Sequence, residues 1–435
     1  MGWKETCPVK ERVRFVSAWE EEWEECEGRV NMAALCRAFG VSRVTGYKWI
    51  QRYVDGGRRI DDLQDRSRRP GSSPTATSAE WVELVLAARR RHPRWGSRKL
   101  YAWMRRQIQA RKWLRRSVSL REMPKPSTIT AILRRHGLTL TRKPRQRVPA
   151  FTQPFASCKG PNDTWCVDFK GHFKTSDGTR VYPLTIMDAF SRFLIRCELV
   201  LDPDGKAVTP IFESAFAEFG LPRSIRSDNG PPFASKAPGG LTALSAWWTR
   251  LGITHERITP GKPQENGRHE RMHLTLKIET AMPPAGDPLA QQHRFNRFRK
   301  LYNDERPHEA LENEVPRTFY RRSKSALPAH LPRIEYPAFW EERRVEKDGG
   351  ARLFRSKVHV GPGLYGEVVG FQWAGESRWE VFYGPVLLGL YDEGRPQKGL
   401  LRIQRQTTLS PQEASSSTTK TGHPRTSSQG HTSNV

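Results

Sequence analysis

The sequence predicts a multidomain chain: small all-α units at the N-terminus, an α/β core built on a mixed five-stranded sheet flanked by helices, and a small β-barrel near the C-terminus. Three observations predict it. At 435 residues the chain exceeds what one hydrophobic core fills. Apolar residues recur at helical spacing through the first third of the chain, then alternate at strand spacing from Thr164 onward. Past Arg343, short strand-like runs are broken by Gly and Pro turns.

Charge narrows the partner. The formal net charge of +27 exceeds what solubility needs and favours a polyanion. Charge alone does not separate nucleic acid from an anionic membrane. No apolar run approaches the roughly 20 residues of a membrane span. Residues 1–27 carry acids where a secretory signal has an apolar core, so an intracellular protein with no membrane partner is expected. Cys7, Cys26, Cys36, Cys158, Cys166 and Cys197 include no Cys-x-x-Cys pair, which predicts reduced thiols, with Cys166 and Cys197 as core filler.

Residues 10–60 read as a helix-turn-helix, with a plain helical hairpin as the alternative. Leu35 and Phe39 share a face, Gly40 allows a sharp turn, and Ser42 caps a second helix. That helix is expected to turn Val44, Tyr47 and Ile50 inward and to present Arg43, Thr45 and Lys48 to DNA. The acidic run around Trp23 reads as a solvated helix face. Residues 61–78 form a basic linker. Residues 79–148 hold a second helical DNA-binding unit with helices over 81–91, 97–109 and 127–136, the last capped by Ser127. Between residues 89 and 150 the chain has 20 Lys and Arg against one acid, Glu122, a density that calls for a counter-ion such as a DNA backbone.

After a second linker over 150–162 the core is expected at 158–325. Strands fall at 164–170, 181–189, 193–200, 224–227 and 253–257, with helices at 206–219 and 241–251 and another carrying Glu270. Asp168 lies inside an apolar strand, where an unpaired carboxylate is costly. Asp228 ends a strand. Glu270 opens a helix on which Lys277, seven residues later, returns to nearly the same face. Three such acids suit two hard cations, which activate water or a 3′-hydroxyl for in-line displacement at phosphorus. Lys277 is expected to meet the phosphate.

The segments Trp165-Cys-Val-Asp168, Ser227-Asp228-Asn229-Gly230 and Pro263-Gln-Glu-Asn-Gly-Arg-His-Glu270-Arg271 resemble the three catalytic blocks of the DDE integrase and transposase family, whose core is RNase H-like. The likeness extends from about residue 30 to 400 and is nearest to bacterial insertion-sequence transposases with an N-terminal helix-turn-helix. It includes His92-Pro-Arg-Trp-Gly-Ser-Arg-Lys-Leu100, Tyr302 to Leu311 and the segment 343–392. It implies that Asp168, Asp228 and Glu270 are the catalytic acids and ligands of two Mg2+ or Mn2+ ions. It also implies cleavage and transfer of DNA strands at terminal inverted repeats, by a homo-oligomer on double-stranded DNA in the bacterial cytoplasm, associated with the nucleoid. Arg271, Lys262, Arg98 and Lys99 join Arg43, Thr45, Lys48 and Lys277 as expected DNA contacts.

Two departures stand out. Forty-one residues separate Asp228 from Glu270, more than in the retroviral branch, through a lengthened loop at 235–240. Glu265 also lies close by, and Glu270 is preferred because it follows the Asn-Gly turn at the family's interval.

Rival readings come from other classes. His269-Glu270-Arg271-Met272-His273 fits the H-E-x-x-H pattern of a zinc protease, which leaves Asp168 and Asp228 without a role. A DNA-binding regulator with an inert core leaves the buried Asp168 unexplained. Asp163 and Asp188 read as turn or strand-edge residues, Trp247 and Trp248 as packing, and Arg306-Pro-His308 as a helix-end tie. The barrel is expected at 335–404 and a disordered Ser/Thr-rich tail at 406–435.

Overall fold

A computed structural model describes residues 7–66, 76–110, 119–139, 158–259 and 267–402. Lys262, Glu265, much of the two linkers and the tail lie outside the described residues. By compactness the chain divides after Ser78.

In the first unit, helices α1 (Pro8–Glu25), α2 (Met32–Ala38) and α3 (Arg43–Asp55) enclose a core of Phe15, Val16, Trp19, Leu35, Cys36, Ile50, Tyr53 and Leu63. The Asn31 side chain accepts the Ala34 N–H and Ser42 accepts the Thr45 N–H, so both helices of the motif start on side-chain caps. The inward stripe of α3 is Gly46, Ile50 and Tyr53. This corrects the expected facing: Val44 is 79% and Tyr47 56% exposed, Arg43 and Lys48 are also exposed, and Thr45 is half-buried. The reason is Gly46. A Cβ there would run into Cys36 Sγ and the Phe15 ring, so α3 lies close to α1 and α2 at that position and its neighbours rotate outward.

The second unit begins with α4 (Ala79–Arg91), α5 (Ser97–Gln109) and α6 (Pro126–Arg135), packed around Trp81, Val85, Leu100, Trp103, Ile129 and Ile132. Helix α6 starts at Pro126 with no side-chain cap, rather than on Ser127; the ring's fixed φ suits the first helical position.

The core follows as strands β1 (Thr164–Phe169), β2 (Phe173–Lys174), β3 (Arg180–Asp188), β4 (Leu194–Val200), β5 (Ser224–Ser227) and β6 (Thr254–Arg257). Helices α7 (Gly205–Phe219), α8 (Ala243–Arg250), α9 (Gly267–Thr280) and α10 (Pro288–Asp304) accompany them. The order β4-β3-β1-β5-β6 is antiparallel through β4, β3 and β1 and parallel through β1, β5 and β6, the mixed sheet of an RNase H-type core. The short β2, paired with the start of β3, makes six strands where five were expected. Alternation along β1 decides what faces what. Trp165 and Val167 enter the core shared with α7 and α8, while Cys166 and Asp168 point to the opposite face, where Met272 and Leu276 of α9 and Phe295 and Phe298 of α10 pack on Met187, Leu194 and Cys197.

The C-terminal strands are β7 (Glu341–Arg344), β8 (Gly350–Leu353), β9 (Ser356–His359), β10 (Val368–Trp373), β11 (Arg378–Tyr383), β12 (Val386–Asp392) and β13 (Leu400–Leu401). They do not close into a barrel. The order β13-β12-β11-β10-β7 is an open antiparallel sheet, with β8 and β9 a separate hairpin. The apolar face is covered another way: Ala351, Leu353, Val358 and Val360 of the hairpin segment lie on it together with Leu241 and Ala246 of the core. The lengthened loop after Asp228 serves this contact, since Gly239 comes so close to Leu388 that a Cβ would overlap it. No helix among the described residues is long and apolar enough to cross a membrane.

Candidate active site

The strand bearing Asp168 is anchored at its start by a buried polar network. Asn162, held at φ 65°, accepts the Trp165 indole N–H at 3.0 Å and the Tyr320 hydroxyl at 2.9 Å through Oδ1. Its own N–H donates to Asp188 at 2.7 Å. Asp188 also accepts the Ser191 N–H and hydroxyl, so this buried carboxylate is fully engaged in fixing the β3 turn. It works at a turn, as expected, and also ties that turn to Asn162. Asp163 accepts the N–H groups of Lys159 and Gly160 in the same region, as a turn residue does.

From that anchor β1 carries Asp168 to a partly buried position opposite Thr185 on β3. Burial, then the negative charge of Asp228, pushes the Asp168 carboxyl up to about 7, and Glu270 adds in the same direction. Asp228 sits just past β5, where burial raises its carboxyl and the Gly230 N–H, 3.3 Å from Oδ1, opposes the rise. Glu270 projects exposed from the first turn of α9. The three acids therefore share one electrostatic neighbourhood. They do not share one coordination sphere: among the described residues no group of three or more His, Cys, Asp or Glu is arranged to hold a single ion. The donor set itself, all carboxylate oxygen with one member destabilised by its neighbours' charge, fits a hard divalent cation. Arg271 and Lys277 are exposed on the same helix.

The H-E-x-x-H reading is overturned by what the histidines touch. His269 and His273 are buried, and each Nε2 lies against the Thr185 hydroxyl, at 2.6 and 2.7 Å. Burial pushes both imidazoles well below their usual range, to about 3 for His269. Sequence reasoning missed Thr185; the available clue was two histidines four residues apart on a face that also carries Met272 and Leu276.

Arg98 is exposed and Lys99 half-buried on α5. Burial, then the charge of Arg306, lowers the Lys99 ammonium to about 8. Arg306 pairs with Glu279 at 2.6 Å and lies over the Trp95 ring, and buried Tyr302 meets His308 edge-on, so this segment ties down the end of α10, as expected, and also links it to α9 and to the helical unit. Trp248 is buried and Trp247 partly so, both in the core.

Two integrase core domain models match residues 159–263 and 251–316. A homeodomain-like domain model matches 45–133 and a helix-turn-helix domain model 12–71. The insertion element IS476 uncharacterized 39.2 kDa protein of Xanthomonas euvesicatoria is 29% identical over 199 residues, which is 43% of this chain and 54% of that protein. The insertion element IS407 uncharacterized 31.7 kDa protein of Burkholderia multivorans is 29% identical over 205 residues, 46% of this chain and 71% of that protein. This chain thus spans about half the length of the first of these relatives. The HTLV-2 integrase catalytic core domain in complex with magnesium superposes on 38% of this chain and 99% of its own, at 17% identity and a TM-score of 0.29, a likeness that extends to no detail of the site. With integrase core matches over residues 159–316 behind helix-turn-helix matches, the chain is similar to the integrases and insertion-element proteins that share that core.

Proposed function

We propose that this chain is an insertion-sequence transposase that binds the terminal inverted repeats of its element and carries out metal-dependent strand cleavage and strand transfer. What carries the reading is the place of Asp168, partly buried on β1 and near enough to Asp228 and Glu270 that burial and both charges push its carboxyl upward. Three carboxylates from β1, the β5 exit and α9 load one small region with negative charge inside a strongly basic protein. In this reading Asp168, Asp228 and Glu270 hold two Mg2+ or Mn2+ ions. When bound, such ions activate the attacking oxygen and stabilise the leaving one at phosphorus. The protein's part is placement: β1 and the β5 exit fix two acids on the rigid sheet, Glu270 would swing in from its exposed place on α9 to join them, and Arg271 and Lys277, with Lys262, meet the DNA backbone.

The two helical units, 10–60 and 79–148, grip the DNA ends, and pairing two ends in one complex makes the bound form a homo-oligomer. On α3 the exposed stripe Val44, Tyr47, Lys48 and Gln51 is added to Arg43 as the groove-facing surface, with Arg98 and Lys99 on α5. Because Val44 and Tyr47 are exposed, Val44→Ser with Tyr47→Ser should leave the melting temperature nearly unchanged. Affinity for the element's ends should fall roughly tenfold or more, the loss of one or two base contacts. A melting transition that collapses with affinity intact would return those side chains to the core.

The function itself is tested by incubating the full chain with DNA carrying the element's own ends and Mg2+. The expected products are 3′-end nicks followed by joining to a target. DNA that is bound but never cut, in Mg2+ or Mn2+, would leave a regulator with an inert core.

A further inference from the structure

We infer that Thr185 is a positioning residue: its hydroxyl clasps His269 and His273 and so fixes the helix that bears Glu270 against the strand that bears Asp168. The inference rests on the proposed metal-binding role of the three acids.

Thr185 is fully buried and stands directly opposite Asp168 in the β1–β3 ladder. Its Oγ1 lies 3.1 Å from the Asp168 carbonyl oxygen, 2.6 Å from His269 Nε2 and 2.7 Å from His273 Nε2. A hydroxyl has one proton to give and two lone pairs to fill. The Asp168 carbonyl can only accept, so it takes the hydroxyl proton. Both imidazoles must then donate from Nε2, which satisfies all three contacts at once and leaves each ring neutral with a bare Nδ1.

Two consequences follow from that tautomer. His273 Nδ1, 3.7 Å from Asp168 Oδ2, is outside hydrogen-bond range and has no proton to offer. The Asp168 carboxylate is thereby left for a cation. His269 Nδ1, in contrast, is buried with no partner among the described residues. A buried orphan acceptor is costly, and an apolar residue would fill the same space without it. What the histidine supplies is its Nε2–H.

The clasp also does something that the apolar contacts of α9 do not. Met272 and Leu276 lie on Met187, Leu194 and Cys197, a contact that tolerates sliding because burial is non-directional. Hydrogen bonds from two successive turns of α9 to one oxygen fix its register. His269 immediately precedes Glu270, so the backbone of that acid is set relative to Asp168 within a few bonds of the clasp. Support of this kind around a metal site is typically worth about 10–100-fold in metal affinity.

The test uses the full chain, with Mn2+ affinity by calorimetry, amide hydrogen exchange over α9, and strand transfer, in Thr185→Val, Thr185→Ser, His269→Leu and Asp228→Asn. Thr185→Val and His269→Leu should each weaken Mn2+ binding about tenfold and speed exchange in α9 by a similar factor, while Thr185→Ser stays near the parent in both. Having the two variants on different elements keeps the result independent of either one folding. Unchanged Mn2+ affinity and exchange in the folded variants, with Mn2+ binding lost in Asp228→Asn, would overturn the clasp and leave the acid assignment standing. Full Mn2+ binding in Asp228→Asn would overturn the acid assignment, and with it any positioning role for Thr185.

Discussion

Asp168→Asn should abolish strand transfer while making the metal-free protein more stable at pH 8. The two effects share one cause. The carboxylate occupies a partly buried place where solvent loss and the charges of Asp228 and Glu270 oppose ionisation, raising its pKa to about 7. Without a cation, ionising it costs folding free energy; the fold binds that proton more tightly than the unfolded chain does. Its stabilising contribution is therefore fully present below about pH 4 and is lost as pH rises through about 7. The neutral amide escapes the loss, by an amount on the order of 2–4 kcal/mol for a shift of this size. A metal's charge stabilisation in the transition state is worth several kcal/mol, and each ~1.4 kcal/mol is a factor of ten, so a loss of at least about 10³-fold in transfer is expected. Thermal melting in EDTA and a single-turnover transfer assay check the two halves. A destabilised Asp168→Asn protein would mean that the native carboxylate is already compensated by the protein alone.

The pH profile should carry the second large effect. A proton and a cation compete for Asp168, and a carboxyl at about 7 is mostly protonated at pH 6. At Mg2+ well below saturation, transfer should fall about tenfold for each unit below pH 7 and level off above it. Raising Mg2+ should move the midpoint to lower pH, as mass action requires. The histidines on α9 do not supply this transition, because burial holds both well below their usual range. A profile flat from pH 5.5 to 8 at low Mg2+ would remove Asp168 from the metal site.

Much of this was legible in the residues, for physical reasons that differ from place to place. Asp168 could be found because an acid in the apolar run Trp165 to Phe169 breaks a strand's alternation at a cost that needs an explanation. Asp228 could be found because a polar turn follows a strand at its C-terminal end. The strands of the core and of the C-terminal region announced themselves by alternation and by turn residues. Closure of the second sheet was not legible, since strand count and turn spacing are the same for a barrel and an open sheet. What decides is whether the last strand reaches the first, and here β13 is two residues long while a hairpin and the loop around Leu241 cover the apolar face.

The facing of α3 failed for a similar reason. Val44, Tyr47 and Ile50 make a good helical stripe, but so do Gly46, Ile50 and Tyr53, and only the close approach of Cys36 and Phe15 to Gly46 selects the second. The histidine pair on α9 shows the limit most clearly. Four-residue spacing places two imidazoles on one side of a helix whether they hold zinc or a threonine, and Thr185 lies 84 residues from His269 in the chain. The antiparallel register of β1 and β3 sets that hydroxyl opposite Asp168, and the packing of α9 on the sheet brings both imidazoles to it.

Locating bound Mn2+ by anomalous diffraction tests the central claim most directly, using crystals of the full chain with its DNA ends. Two ions are expected, each at roughly 2.0–2.4 Å from carboxylate oxygens, with Asp168, Asp228 and Glu270 all represented and the exposed Glu270 side chain swung inward from α9. Manganese bound elsewhere, or held by Asp168 and Asp228 while Glu270 stays in solvent beside the DNA, would contradict it.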